Sequence, residues 1–159
     1  MLKRSLVEQL KSANKYFLNS TRCLNEEDSA FAPKEGMFTV AQQVAHTAQI
    51  IDWFFEGAFR PEGFSVDFEG LTGEILKCES LAGAREWFKK AVDNGMSLIE
   101  NKNEMEWMAP MADGPIMGGL PRMVIMSGIC DHTAHHRGSL SMYARMLDKV
   151  PNMPYEDPK

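Results

Sequence analysis

Three of the chain's four histidines fall in the stretch Asp131-His132-Thr133-Ala134-His135-His136-Arg137-Gly138, and the fourth, His46, stands far upstream. Imidazole nitrogen is the commonest nitrogen ligand for Zn, Ni, Cu and Fe. On a helix each residue advances about 100°, so His132 and His136 lie about 40° apart and one turn separated. They project from one face and form the best-placed pair. His132 with His135 is the competing pair. His135 sits about 100° round from His136 and follows Asp131 by four residues, so it reads as a surface or outer residue paired with that carboxylate. His46, the only other histidine, is the natural third ligand. Three imidazoles leave coordination positions open, as catalytic rather than closed structural centres do.

The elements that must position these side chains follow from apolar spacing. A helix over about 121–149 carries the row Ile125, Ile129, His132, His136, Leu140, Tyr143 and Leu147, spaced 4-3-4-4-3-4. Two histidines thus occupy core positions, and burying both without a shared partner would leave polar groups unpaired. Pro121 suits the first turn, where a missing N–H does no harm. His46 falls on a helix opened by a capping box, Thr39 with Gln42, and closed by Arg60-Pro61-Glu62-Gly63. Its core row is Val40, Val44, Ala48, Ile51 and Phe55, with His46, Ile50 and Trp53 on the neighbouring row. A first helix over about 2–24 places Leu2, Leu6, Leu10, Ala13, Phe17 and Leu24, and a third starts at Ser80 as N-cap and runs through Ile99.

Between these elements, residues 25–38 form a connection and residues 60–79 a longer link with Gly70 and Gly73. Residues 104–120 are the least regular, and Trp107–Gly119 reads as a lid over the open coordination positions. The tail from Val150 to Pro158 reads as an extended strap. No strand alternation persists, so the expected fold is all-α: one domain over residues 1–159, a four-helix bundle with an extended C-terminal tail.

Ser139, Tyr143 and Trp53 could line the site, with packing the better reading for Trp53. Cys130 lies about 200° round from His132 and faces away. Asp52 and Glu56 are displaced from His46 and read as solvated. Met105, Met108, Met111 and Met117 could form a soft ligand pocket, although methionine more often fills irregular core space.

A formal charge of −5, with scattered rather than clustered lysines and arginines, argues against a nucleic-acid partner. Three separated cysteines, Cys23, Cys78 and Cys130, without a CxxC pair read as reduced thiols in a cytosol. Glu8 interrupts the only basic-then-apolar start, and no stretch approaches the ~18 apolar residues of a membrane span. A cytoplasmic protein without leader or membrane anchor is expected.

The stretches Thr39-Val40-Ala41-Gln42-Gln43-Val44-Ala45-His46 and Asp131-His132-Thr133-Ala134-His135-His136-Arg137-Gly138-Ser139-Leu140 together resemble the DinB/YfiT-like superfamily, over essentially the whole chain. The resemblance implies an up-down-down-up four-helix bundle, commonly a homodimer, binding a divalent metal through His46, His132 and His136. It also implies thiol-dependent transferase or isomerase chemistry with a low-molecular-weight thiol such as bacillithiol, mycothiol or glutathione. The expected function is therefore a metal-dependent enzyme, with Zn or Ni and alternatively Fe or Mn. It would present a thiolate to a small electrophilic substrate. The alternatives are a metal-dependent hydrolase and a non-catalytic, metal-stabilised dimeric stress-response protein. No carboxylate is clearly aimed at the site, so the general acid or base is unassigned.

Overall fold

Polar caps, and the apolar rows between them, set most of the helix boundaries. The computed structural model describes residues 1–156, and these contain six α-helices: α1 (Leu2–Thr21), α2 (Val40–Phe59), α3 (Phe68–Leu76), α4 (Leu81–Asn101), α5 (Glu104–Met108) and α6 (Ile125–Met146). No strand occurs among the described residues, only an isolated bridge between Pro110 and Pro121. Thr39 Oγ1 accepts from the Gln42 N–H at 3.2 Å and Gln42 Oε1 accepts from the Thr39 N–H at 3.0 Å, so the capping box at the head of α2 is formed. Ser80 Oγ accepts from the Gly83 N–H at 3.1 Å and opens α4.

The all-α expectation holds, with two helices added to the four expected. α3 lies inside the link over 60–79, where Gly70 and Gly73 and the burial of Ile75 alone leave no apolar row to read. It forms because Asp67 Oδ1 accepts from the Gly70 N–H at 2.9 Å. α5 lies inside the irregular segment and is held by a capping box between Asn103 and Glu106. α1 stops at Thr21 rather than near Leu24. Pro121 precedes a 3-10 turn over Arg122–Val124, so α6 starts later than expected, at Ile125. α6 ends at Met146.

The four long helices form a ring in which each packs on two others, in the order α1–α6–α2–α4. Leu6, Leu10 and Phe17 of α1, Val44 and Ile51 of α2, Phe88 and Ile99 of α4, and Ile129 and Leu140 of α6 are buried within it. Helix α2 is keyed to both neighbours by adjacent phenylalanines. A Cβ on Gly95 of α4 would stand 2.4 Å from the Phe55 ring, and one on Gly128 of α6 would stand 2.5 Å from the Phe54 ring. Only glycine leaves room for these rings.

The Trp107–Gly119 segment is anchored in the core by Trp107 and Met111, while residues 112–119 between Met111 and Leu120 are exposed or half-buried. Trp107 is fully buried, edge-on to Phe59 at 5.0 Å and Phe55 at 6.4 Å, and Met111 is also buried. The Met111 N–H donates to the Leu120 carbonyl, and Arg122 donates to the carbonyls of Ala58 and Glu106. The four methionines divide accordingly: Met111 fills core space, Met105 and Met108 are exposed, and Met117 is half-buried.

The tail straps onto the rest of the chain as far as Glu156, while Asp157 and Pro158 lie outside the described residues. Asn19 Nδ2 donates to the carbonyls of Pro154 and Glu156, at 2.9 and 2.7 Å. Tyr155 stands edge-on to Tyr16, and Lys149 Nζ bonds the buried Asp28 carboxylate at 2.5 Å.

Candidate metal centre

His46 projects from the second turn of α2, and His132 and His136 from successive turns of α6, where those two helices pack together. Their ligating nitrogens all lie within 4.8 Å of one another. The Nε2 atoms of His132 and His46 are 3.3 Å apart, and those of His136 and His132 are 2.9 Å apart. His136 is buried and the other two are half-buried. His135 is exposed and stands outside the cluster, so the competing pair does not form.

Burial pushes His136 down to about 3 and His132 down to about 4, and the neighbouring imidazoles reinforce both shifts. Burial also lowers His46, against the pull of a hydrogen bond with Gln49. Protonation is disfavoured at all three, which keeps their lone pairs available at neutral pH.

Two glutamines of α2, three residues before and three after His46, grip the outer edges of two of these rings. Gln43 Oε1 lies 2.6 Å from His136 Nδ1. Gln43 Nε2 donates to the Tyr143 hydroxyl at 3.4 Å, which in turn donates to the Phe38 carbonyl at 3.1 Å. Gln49 Nε2 donates to the Leu71 carbonyl and to Glu74, at 2.9 and 3.2 Å, leaving its oxygen to accept from His46.

The donor set fits a divalent cation. Three neutral imidazoles turn Nε2 toward a common centre, where a single N–H can satisfy only one neighbouring lone pair. A cation would satisfy all three, and among the described residues no carboxylate belongs to the cluster.

The remaining expected site residues disperse. Tyr143 belongs to the hydrogen-bonded support of His136, while Ser139 Oγ donates back to the His135 carbonyl. Trp53 packs against Phe54 and Phe64 and donates to the Ser65 carbonyl, as a packing residue would. Cys130 points to the α1 side, its sulfur 4.0 Å from the Gln9 carbonyl oxygen. Glu56 is exposed as expected. Asp52 is a correction: it is half-buried, accepts from Trp87 Nε1 at 2.9 Å, and burial raises its carboxyl above the usual range.

Gln43 and Gln49 were missed in the sequence. The available signal was their spacing from His46, which puts two long polar side chains beside a candidate ligand on a mostly apolar helix. Neither the scan against protein-family models nor the search of the curated proteins gives a match for this chain.

Proposed function

We propose that the protein is a metal-dependent enzyme of the DinB/YfiT-like type, transferring the sulfur of a low-molecular-weight thiol to a small electrophile. The observation that carries this reading is the convergence of three Nε2 atoms, from His46, His132 and His136, with no fourth ligand in the cluster among the described residues. The ring of four long helices, with histidines on the second and fourth of them, supports the DinB/YfiT-like assignment. The same reading carries a homodimeric, cytoplasmic protein acting on a small molecule.

When bound at three neutral nitrogens, a divalent ion supplies a Lewis acid that lowers the pKa of a thiol or water in its open positions. Zinc and nickel suit the imidazole set best, and iron or manganese is compatible with it. His46, His132 and His136 do the binding. Gln43 holds the His136 ring from behind, and Gln49 holds His46. Core side chains around His136 restrict water on its inner side. In the transfer, the thiol gives its proton to solvent and its sulfur lone pair forms the new C–S bond. The bond from carbon to the leaving group breaks, and that group departs with the electron pair.

The test is metal analysis followed by a panel of bacillithiol, mycothiol and glutathione against haloalkane and epoxide electrophiles. Thiol consumption that depends on the metal, and vanishes in His132→Ala, is the expected result. Ester or amide hydrolysis without thiol would replace this reading with the hydrolase. A large fall in melting temperature on chelation, with no turnover of any substrate, would replace it with a metal-stabilised structural protein.

A further inference from the structure

We propose that Gln43 is a positioning residue: it selects the His136 tautomer in which Nδ1 carries the proton and Nε2 is bare, with Tyr143 and the Phe38 carbonyl as its anchor. The inference rests on the reading of His136 as a metal ligand, but the tautomer itself does not.

Donor and acceptor roles along this chain are forced from one end. The Phe38 carbonyl can only accept, so the Tyr143 hydroxyl spends its single proton there, at 3.1 Å. Tyr143 can then only accept from Gln43, so the nitrogen of the Gln43 amide must face it. The amide oxygen is thereby turned to His136, and at 2.6 Å from Nδ1 it requires a proton on that nitrogen. Nε2 of His136 is left as a lone pair directed at the other two histidines.

The opposite arrangement fails at a definite place. With the amide reversed, Tyr143 would donate to Gln43 and leave the Phe38 carbonyl without its partner. His136 would accept at Nδ1 and carry its proton on Nε2, 2.9 Å from His132 Nε2, where a ligand must offer a lone pair. Phe38 immediately precedes Thr39, whose capping box fixes the first turn of α2. The chemistry that starts this helix therefore reaches through Tyr143 and Gln43 to the ring of a ligand on another helix.

The test is a two-bond proton–nitrogen correlation spectrum of the metal-free protein near neutral pH, joined to zinc affinity by chelator competition. In the unaltered protein His136 is expected as the Nδ1–H tautomer, and in Gln43→Leu the proton redistributes toward Nε2. Gln43→Glu, whose carboxylate still accepts from Nδ1–H, restores the original tautomer, and Tyr143→Phe gives a mixture because the amide is free to reverse. Gln43→Leu weakens zinc binding by about 10–100-fold, while Gln43→Glu does not. An Nε2–H tautomer in the unaltered protein overturns the proposal. So does a tautomer unchanged in both folded Gln43→Leu and Tyr143→Phe. Absence of zinc binding in the unaltered protein, with the expected tautomers, removes the metal reading and leaves the tautomer relay standing.

Discussion

His46 Nε2 and His132 Nε2 face each other at 3.3 Å across the contact between α2 and α6, although 86 residues separate them in the chain. Both belong to half-buried rings whose protonation is disfavoured, so neither can hold a positive charge easily against the other. An ion between them is expected to join the two helices as well as to serve chemistry.

Replacing His46, His132 or His136 singly by alanine is expected to reduce bound zinc from about one equivalent to near zero at micromolar protein, with affinity falling by about 100-fold or more. His135→Ala, altering an exposed ring outside the cluster, should stay within about 3-fold of the parent. Metal content by mass spectrometry and a chelator competition check both statements. Equal loss in His135→Ala would mean that the wrong pair on α6 has been assigned.

The metal-free protein should lose stability on mild acidification. His132 is held at about 4 and His136 at about 3, both below the ordinary value of 6.5, with burial as the first cause. Between those values the unfolded chain binds protons that the folded chain refuses, so unfolding is favoured as pH falls. The native state keeps its full advantage above about pH 6.5 and loses it progressively toward the folded values. Urea midpoints of chelated protein at about pH 7 and pH 5 should differ, and the difference should shrink in His136→Gln.

Much of the site was legible because helix periodicity is a strong constraint. The row running from Ile125 to Tyr143 placed His132 and His136 on the buried side of α6, and the Thr39–Gln42 box fixed where α2 begins. α3 and α5 were not legible because they are short and bury one side chain each, Ile75 and Trp107, so caps rather than periodicity hold them. Gln43 stood at a telling spacing from His46, but its bond to the far side was not legible. Its role depends on Tyr143, 100 residues away, and no local pattern announces that bond. Asp52 failed similarly, since its partner Trp87 lies on a different helix.

Gly95→Ala should destabilise the protein by about 1–3 kcal/mol, although alanine is the better helix former by about 1 kcal/mol at exposed interior positions. The added methyl would stand 2.4 Å from the Phe55 ring within a filled core. Gly73→Ala, where the Cβ meets nothing within 4 Å, should be neutral or stabilising. Thermal melts of the two variants measured together decide the point.

Asp28→Ala should cost about 1–3 kcal/mol and loosen the tail. The buried carboxylate accepts from the Asn25 N–H at 2.6 Å and from Lys149 Nζ, which without it is left only the longer, exposed pairing with Glu27 at 3.7 Å. Hydrogen exchange over residues 149–156 should accelerate together with the drop in melting temperature. An unchanged exchange rate would place the tail's anchorage on Asn19 and the Tyr16–Tyr155 contact.

The ring of Phe54 seated over Gly128 fixes more than packing. Gly128 lies one turn before His132 on α6, so this contact sets the axial register at which α6 passes α2. A slip of one turn, about 5.4 Å, would carry His132 and His136 past His46 and part the three nitrogens. Positions 54 and 128 are therefore expected to change together, side-chain volume gained at one being lost at the other. A mutational scan selecting for metal retention should recover that covariation, with residues larger than glycine at 128 accepted only alongside smaller ones at 54.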